Sequence, residues 1–387
     1  MRYAAVIRSS SKIAVHFESL EDPRVVGRTA HPLLTVIVMA VVAVIGGAEG
    51  WEEIADFAED RREWFEKFLD MPNGVPCEST FYRVFRAIRP DAFEACMRSW
   101  IDSFAESLAG QVVAFDGKAL RGAMARAALG ARLHLVHVWA TRQRLLLAQK
   151  AVEGAPEEIG AVRDLLELID AECALVSGDA AHCNRETAQA IVDRNADWLL
   201  KLKGNRAAAH ERAVTFFTAA RAQGFEGHAM RHHREEESGH GRHEIREGWT
   251  FPASACPLPG EEWPSLRSVT FVESTRVVGT EASRELHVYL GSLPPAVRRI
   301  MATAREHWQI ENGLYWRLDV EMGEDRCKVH EANAATNLAS MRRLALALLQ
   351  RDETCRRGKR IRGIAAKRAK AGRNTEYLEH VLTLGTK

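Results

Sequence analysis

After Gln111, short apolar runs and helical stretches alternate in an order that few folds accept. Residues 112–115 (Val-Val-Ala-Phe) read as a first strand. Residues 133–140 and 145–151 read as two more, joined by the polar turn 141–144. The pattern then predicts a helix over 157–170, a strand over 174–177, a helix over 185–195 and a strand over 198–201. This order, β-β-β-α-β-α-β, predicts an α/β chain with a ribonuclease H-like core.

The flanks have a different texture. Residues 33–106 carry apolar side chains at three- and four-residue spacing, in Trp51, Ile54, Ala55 and Ala58 and again in Trp64, Phe65, Phe68 and Leu69, which predicts a helical N-terminal unit. After the turn chemistry of 71–76, Ser79 or Thr80 offers an N-cap to a short helix. Phe81, Val84, Phe85 and Ile88 line one side of it, and Arg83, Arg86 and Arg89 recur along its edge, either as a face for DNA or as a solvated basic edge. Residues 224–291 turn polar and proline-rich, with strands expected at 245–249, 267–272 and 285–290, so they read as a β-rich insertion. A long helix is expected from 294 to 318 and another over 334–350. The chain therefore divides into a helical domain (1–108), the first part of the catalytic core (109–223), the insertion (224–292), helices completing the core (293–350) and a basic tail (351–387).

Residues 351–387 hold eleven Lys and Arg against four Asp and Glu, a balance of +7; the remainder, 42 basic against 48 acidic, is −6. Such a block suits a polyanion whose phosphates release counterions on contact, or else a solvated tail. The most apolar run, 33–45, is 13 residues, short of the roughly 20 that cross a bilayer, so a buried helix and no membrane partner are expected. Arg2 and Arg8 precede no apolar signal region, and seven cysteines without a Cys-x-x-Cys pair match neither a disulfide framework nor a zinc site. Reduced thiols and a cytoplasmic location are the expectation. His232, His233, His240 and His243 lie in a loop-like stretch broken by Arg and Glu, which argues against a zinc cluster. Cys183 lacks the partners of a catalytic thiol, and Trp308 and Trp316 read as core residues.

Three carboxylates carry chemistry. Asp116 follows the first strand, and Gly117 lets the backbone approach another group. Asp179 follows the strand at 174–177 and Gly178, so both acids are expected at strand ends, where open α/β sheets bind ligands. At 100° per residue on a continuous helix, Glu311 falls on the face of Val297, Met301, Ala304, Trp308, Tyr315 and Leu318, while Glu306 points to water. An ionised carboxylate on an apolar face needs a compensating cation. That cation is either a metal or a partner such as Arg121 or Arg305. Two strand-end aspartates and a glutamate suit two Mg²⁺ ions, which prefer oxygen ligands, and such a pair supports phosphoryl transfer.

These residues resemble a known family. Ala-Phe-Asp-Gly-Lys-Ala-Leu-Arg-Gly (114–122), Leu-His-Leu-Val (133–136), Asp179 with Leu-Lys-Gly-Asn (202–205), and His-Trp-Gln-Ile-Glu-Asn (307–312) look like bacterial insertion-sequence DDE transposases of the H-repeat-associated group. The likeness extends to Asp-Pro-Arg (22–24), Gly-Trp-Glu-Glu-Ile-Ala (50–55) and Arg-Arg-Leu-Ala-Leu (342–346). It implies a catalytic, metal-holding triad of Asp116, Asp179 and Glu311 using Mg²⁺, with Mn²⁺ able to substitute. It also implies cutting of double-stranded DNA at the element's ends, joining to a target, and a homodimer on DNA. Lys118, Arg121, Lys203, Asn205 and His307, with Arg83 and Arg86, are the DNA-positioning candidates. Related transposases place a Tyr and an Arg before the catalytic Glu and a Lys seven residues after it, where this chain has Ala304, His307 and Leu318. The alternatives are an idle or domesticated DNA-binding descendant and a stand-alone ribonuclease H-like nuclease.

Overall fold

The computed structural model describes residues 13–385 apart from 26, 28, 121–133, 240, 257 and 259–261. The core sheet forms from β1 (Val112–Ala119), β2 (His134–Ala140), β3 (Leu145–Val152), β4 (Leu175–Gly178) and β5 (Asp197–Leu202), in the order β3-β2-β1-β4-β5. β1, β2 and β3 pair antiparallel, while β4 and β5 join β1 in parallel through the crossover helices α6 (Ala155–Leu166) and α7 (Arg185–Val192). That order and those directions are a ribonuclease H-like sheet. Its inner strands are buried over most of their length, with the second half of β1, from Asp116 to Ala119, only half-buried.

Helix α8 (Ala207–Ala222) leads to four further strands, β6 (Arg231–Gly239), β7 (Arg242–Pro252), β8 (Ser268–Val278) and β9 (Glu281–Gly291). They run as an antiparallel meander, and β9 pairs with β5, so one nine-stranded sheet results. The insertion is thus an extension of the catalytic sheet. The histidine stretch expected as a loop is a hairpin: His232 pairs with Glu247 across β6 and β7 at 2.7 Å, and His243 with Glu236 at 2.9 Å. Cross-strand side-chain contacts, which alternate-residue spacing does not advertise, stabilise this polar hairpin.

The N-terminal helices are α1 (Leu33–Ile45), α2 (Trp51–Glu59), α3 (Arg62–Phe65), α4 (Glu78–Ala87) and α5 (Pro90–Asp102). α1 is apolar all round because it is buried from Thr35 to Ile45, and no helix among the described residues is long and apolar enough to cross a membrane. α9 (Val297–His307) covers the sheet, and α10 (Ala332–Arg351) packs against α1, α4, α5 and β3. Asn337 on α10 donates to the Phe85 and Ile88 carbonyls at 2.8 and 3.0 Å, closing the C-terminal end of α4. The result is one continuous core shared by the helical region and the sheet.

The basic segment also folds. A two-stranded ribbon, β10 (Arg356–Arg357) and β11 (Arg360–Ile361), precedes α11 (Ile364–Ala371) and α12 (Thr375–Thr383). Lys367 and Arg368, expected in a tail, are buried. Lys367 donates to the Leu349 and Asp352 carbonyls, and Arg368 to the carbonyl of Glu321 at 2.7 Å. Their charges satisfy carbonyls at and near helix ends.

Candidate active site

Strand register brings the two aspartates together. Phe115 on β1 pairs with Gly178 on the parallel strand β4, so the next residue on each, Asp116 and Asp179, lie side by side. Adjacent strands run about 4.8 Å apart. Gly178 is required here, since a Cβ would meet the Phe115 ring at 2.3 Å. Asp179 is oriented by its own turn, its carboxylate accepting from the Ala181 amide at 3.0 Å.

Glu311 reaches the same pocket by a different route from the one expected. The helix does not run on from 294 to 318: α9 ends at His307, and π-helical turns follow at Ile310–Tyr315 and Arg317–Glu321. The wider turns rotate Glu311 out of the apolar arc to the pocket rim, where it is exposed. Glu306, expected in water, instead accepts from the Thr141 hydroxyl at 3.0 Å. Trp308 and Trp316, expected in the core, are half-exposed, and Trp308 joins the pocket wall.

The pocket, about 180 Å³, is lined by Asp116, Asp179, Glu311, Lys201, Lys203 and His307 among others. Burial, then the neighbouring Asp179 and Glu311 charges, push the Asp116 carboxyl up to about 8. Partial burial and Asp319 raise Glu311 as well, against the pull of Lys118. Burial drives the His307 imidazole down to about 4, so it is neutral at physiological pH, sharing a hydrogen bond with the Ser177 hydroxyl at 3.1 Å. Lys201 is lowered by burial and by Lys203, and its ammonium lies 5.5 Å from the Trp308 ring centre. Among the described residues, no three His, Cys, Asp or Glu side chains stand together tightly enough to cage a metal ion. The donor set still fits a hard divalent cation: three carboxylates face one pocket, and the mutual repulsion that raises Asp116 is what a cation would relieve.

A fourth acid, missed in the sequence, stands behind them. Glu158 on α6 is buried, 3.3 Å from His182 Nε2, and the same nitrogen lies 3.9 Å from the Asp179 carboxylate. Gly117 is the signal that could have found it, since a Cβ there would sit 1.9 Å from the Glu158 carboxylate. The close approach expected of Gly117 is to this group.

Other expected site residues divide sharply. Lys203 is exposed on the pocket wall, and Arg83 and Arg86 are exposed on α4, with Arg83 folded back to the Ser79 carbonyl at 3.0 Å. Arg121 lies outside the described residues. Lys118, expected on DNA, is instead an internal strut: its ammonium pairs with Asp319 and, at 2.8 Å, with Glu324, and its side chain is 10% exposed. Asn205 is likewise engaged, its amide donating to the Ala180 carbonyl beside Asp179. Cys183 is buried with its thiol pushed up to about 12 by burial, which removes it as a nucleophile.

Residues 108–348 match the family model described as "Transposase DDE domain", and residues 14–101 match one described as "DDE_Tnp_1-associated". The chain belongs to the DDE transposase family. "Putative transposase YncI" of Escherichia coli O157:H7 is 32% identical over 94% of this chain and 92% of its own length. "H repeat-associated putative transposase YhhI" of Escherichia coli K12 is 29% identical over 96% and 97%. A cryo-EM structure of the piggyBac transposase synaptic complex with hairpin DNA overlies 99% of this chain and 77% of its own at a TM-score of 0.41 and 8% identity, too loose to add to what the strand order says of the fold.

Proposed function

We propose that this transposase cuts double-stranded DNA at the ends of its element and joins the freed 3′-hydroxyls to target DNA, with Asp116, Asp179 and Glu311 holding Mg²⁺ or Mn²⁺. The observation that carries the reading is the strand register that sets Asp116 beside Asp179, in a pocket Glu311 also lines. When bound, a metal pair supplies Lewis acidity and an activated oxygen nucleophile for phosphodiester displacement. The chain's own residues do the rest. Pairing with β2 holds Asp116 within β1, and the Ala181 amide fixes the rotamer of Asp179 just past the end of β4. His307, neutral and anchored on Ser177, faces the substrate without adding charge. Lys201 and Lys203 place positive charge on the pocket wall, where backbone phosphates would lie. Arg83 and Arg86 present a second basic edge on α4, within the 1–108 region we assign to DNA contact, and two copies on the paired element ends form the working assembly.

Glu311→Gln tests the triad. The residue is exposed at the rim and among the described residues makes no ion pair, so the variant should keep the wild-type melting temperature and duplex binding while Mg²⁺-dependent cleavage of an element-end duplex falls to background. Wild-type-like cleavage would remove Glu311 from the chemistry. An intact triad with no activity on any element-end duplex would favour a DNA-binding descendant.

A further inference from the structure

The excess positive charge of the C-terminal segment is divided by the fold. Lys367 and Arg368 face inward, as described above. Arg356, Arg357, Lys359, Arg360 and Arg362 are all exposed, and they occupy the ribbon β10–β11 and its exit. Like charges this dense repel one another, so a flexible segment would spread them. Here they are held together on two paired strands turned by Gly358, whose positive φ of 62° suits the tight reversal.

The root of the ribbon is built to hold that shape. Asp352 is 1% exposed and accepts from the Thr354 amide at 2.9 Å, the Cys355 amide at 3.1 Å and the Tyr377 hydroxyl at 2.7 Å. Arg362 closes the far strand by donating its amide to the Cys355 carbonyl at 2.8 Å. A buried carboxylate with this many donors fixes the backbone on both sides of the strand entry. Directly beyond the ribbon, Ala365 donates to the Glu321 carboxylate at 3.4 Å and Arg368 to the Glu321 carbonyl. Glu321 ends the helical turns that carry Glu311, and at helical rise the two lie at most about 15 Å apart. That is less than half the roughly 34 Å of one duplex turn.

We infer that the ribbon Arg356–Ile361 is a preorganised clamp for the phosphate backbone of duplex DNA whose reacting strand lies in the Asp116–Asp179–Glu311 pocket. The inference rests on the reading of DNA as substrate and adds the element that grips it. Phosphates are spaced along the duplex at one charge per ~1.7 Å of axis, so a short rigid basic ribbon meets several at once without losing side-chain entropy to collect its charges. Contacts of this kind carry no sequence preference.

The test is duplex binding against salt concentration by the full chain, for the wild type, for Arg357→Gln/Lys359→Gln/Arg360→Gln, and for a control of equal charge change at exposed arginines outside the ribbon, Arg142→Gln/Arg144→Gln/Arg163→Gln. The ribbon triple variant should bind at least about tenfold more weakly near 0.1 M salt, equally on element-end and unrelated duplexes, with a slope of log K against log salt shallower by up to about 2.7. The control should lie near wild type, and all three should melt alike. A ribbon variant with the wild-type slope, or a control that weakens binding as much, overturns the clamp while leaving the triad untouched. A wild-type protein that binds no duplex overturns both readings. Because binding is measured without cleavage, loss of activity in the triad cannot mimic either result.

Discussion

Two acids on either side of Lys118 in the sequence, the buried Glu324 and the half-buried Asp116, meet opposite fates. Asp319 and Glu324 are tied to Lys118, and Glu324 also lies 3.2 Å from the Arg343 guanidinium. Burial works against ionisation of Glu324, yet Arg343 and Lys118 hold it below the ordinary carboxylate range. Arg343 Nε donates to His137 Nε2 at 3.1 Å, and the imidazole, kept neutral by burial and that guanidinium, reaches the Tyr315 hydroxyl at 3.3 Å. Asp116, two residues before Lys118, is pushed up to about 8 by burial and then by the acids around it. A buried acid given a cation becomes a strut, and one surrounded by acids stores repulsion that a bound cation can release. The strut also serves the site: Lys118 joins the strand of Asp116 to the segment that follows Glu311.

The contrast breaks most visibly at the paired acids. Arg343→Met keeps much of the side-chain volume but leaves Glu324 buried beside one cation fewer, so unfolding by urea should show a loss of about 3–5 kcal/mol. An unfolding midpoint equal to wild type would mean that the network contributes nothing to the fold. Asp116→Asn should act in the opposite direction. The folded carboxyl titrates near 8 and the unfolded one near its ordinary 3.8, so the folded state holds the extra proton across that window and stability falls as pH rises through it. In metal-free protein at pH 8, Asp116→Asn should therefore gain about 0.5–2 kcal/mol and flatten the decline between pH 5 and pH 8, because water entering the pocket weakens the repulsion below its dry limit. Added Mg²⁺ should raise the wild-type melting temperature more than the variant's. Equal pH profiles would show that Asp116 is not held among like charges. The smallest effect belongs to pairs in water. Arg305 grips Glu237 with two hydrogen bonds, at 2.8 and 2.6 Å, but both side chains are about half exposed. Glu237→Gln should barely move the unfolding midpoint in the same urea series. A large drop would show that pairing, rather than burial, governs the difference.

Legibility in the sequence followed the range of the forces involved. The strand runs at 112–115 and 174–177 are local hydrophobic patterns, and they place Asp179 just past β4 but end the first strand too early: pairing with β2 carries β1 on to Ala119, so Asp116 lies inside it. β6 was invisible because its residues, Arg231 to Gly239, are polar on both faces and become a strand only when β7 supplies ladder bonds and opposite charges. Glu311 reaches the pocket rim for a reason the helical period does not carry. A straight helix would bury it, whereas the π-helical turns that bring it to the rim arise where this segment must pack between the sheet and α10.

The sequence by itself determined the α/β alternation, the three acids and the place of excess charge, because each depends on residue type and short-range period. Only the tertiary structure decided which charges are paired. Lys118 and Lys203 look alike as loop-adjacent lysines, and Lys367 looks like Lys359. One of each pair is held inside by carboxylates or carbonyls brought from far along the chain, and the other faces water. Pairing is set by which distant groups arrive within a few ångströms in a poorly screened interior, and no pattern local to a lysine encodes that.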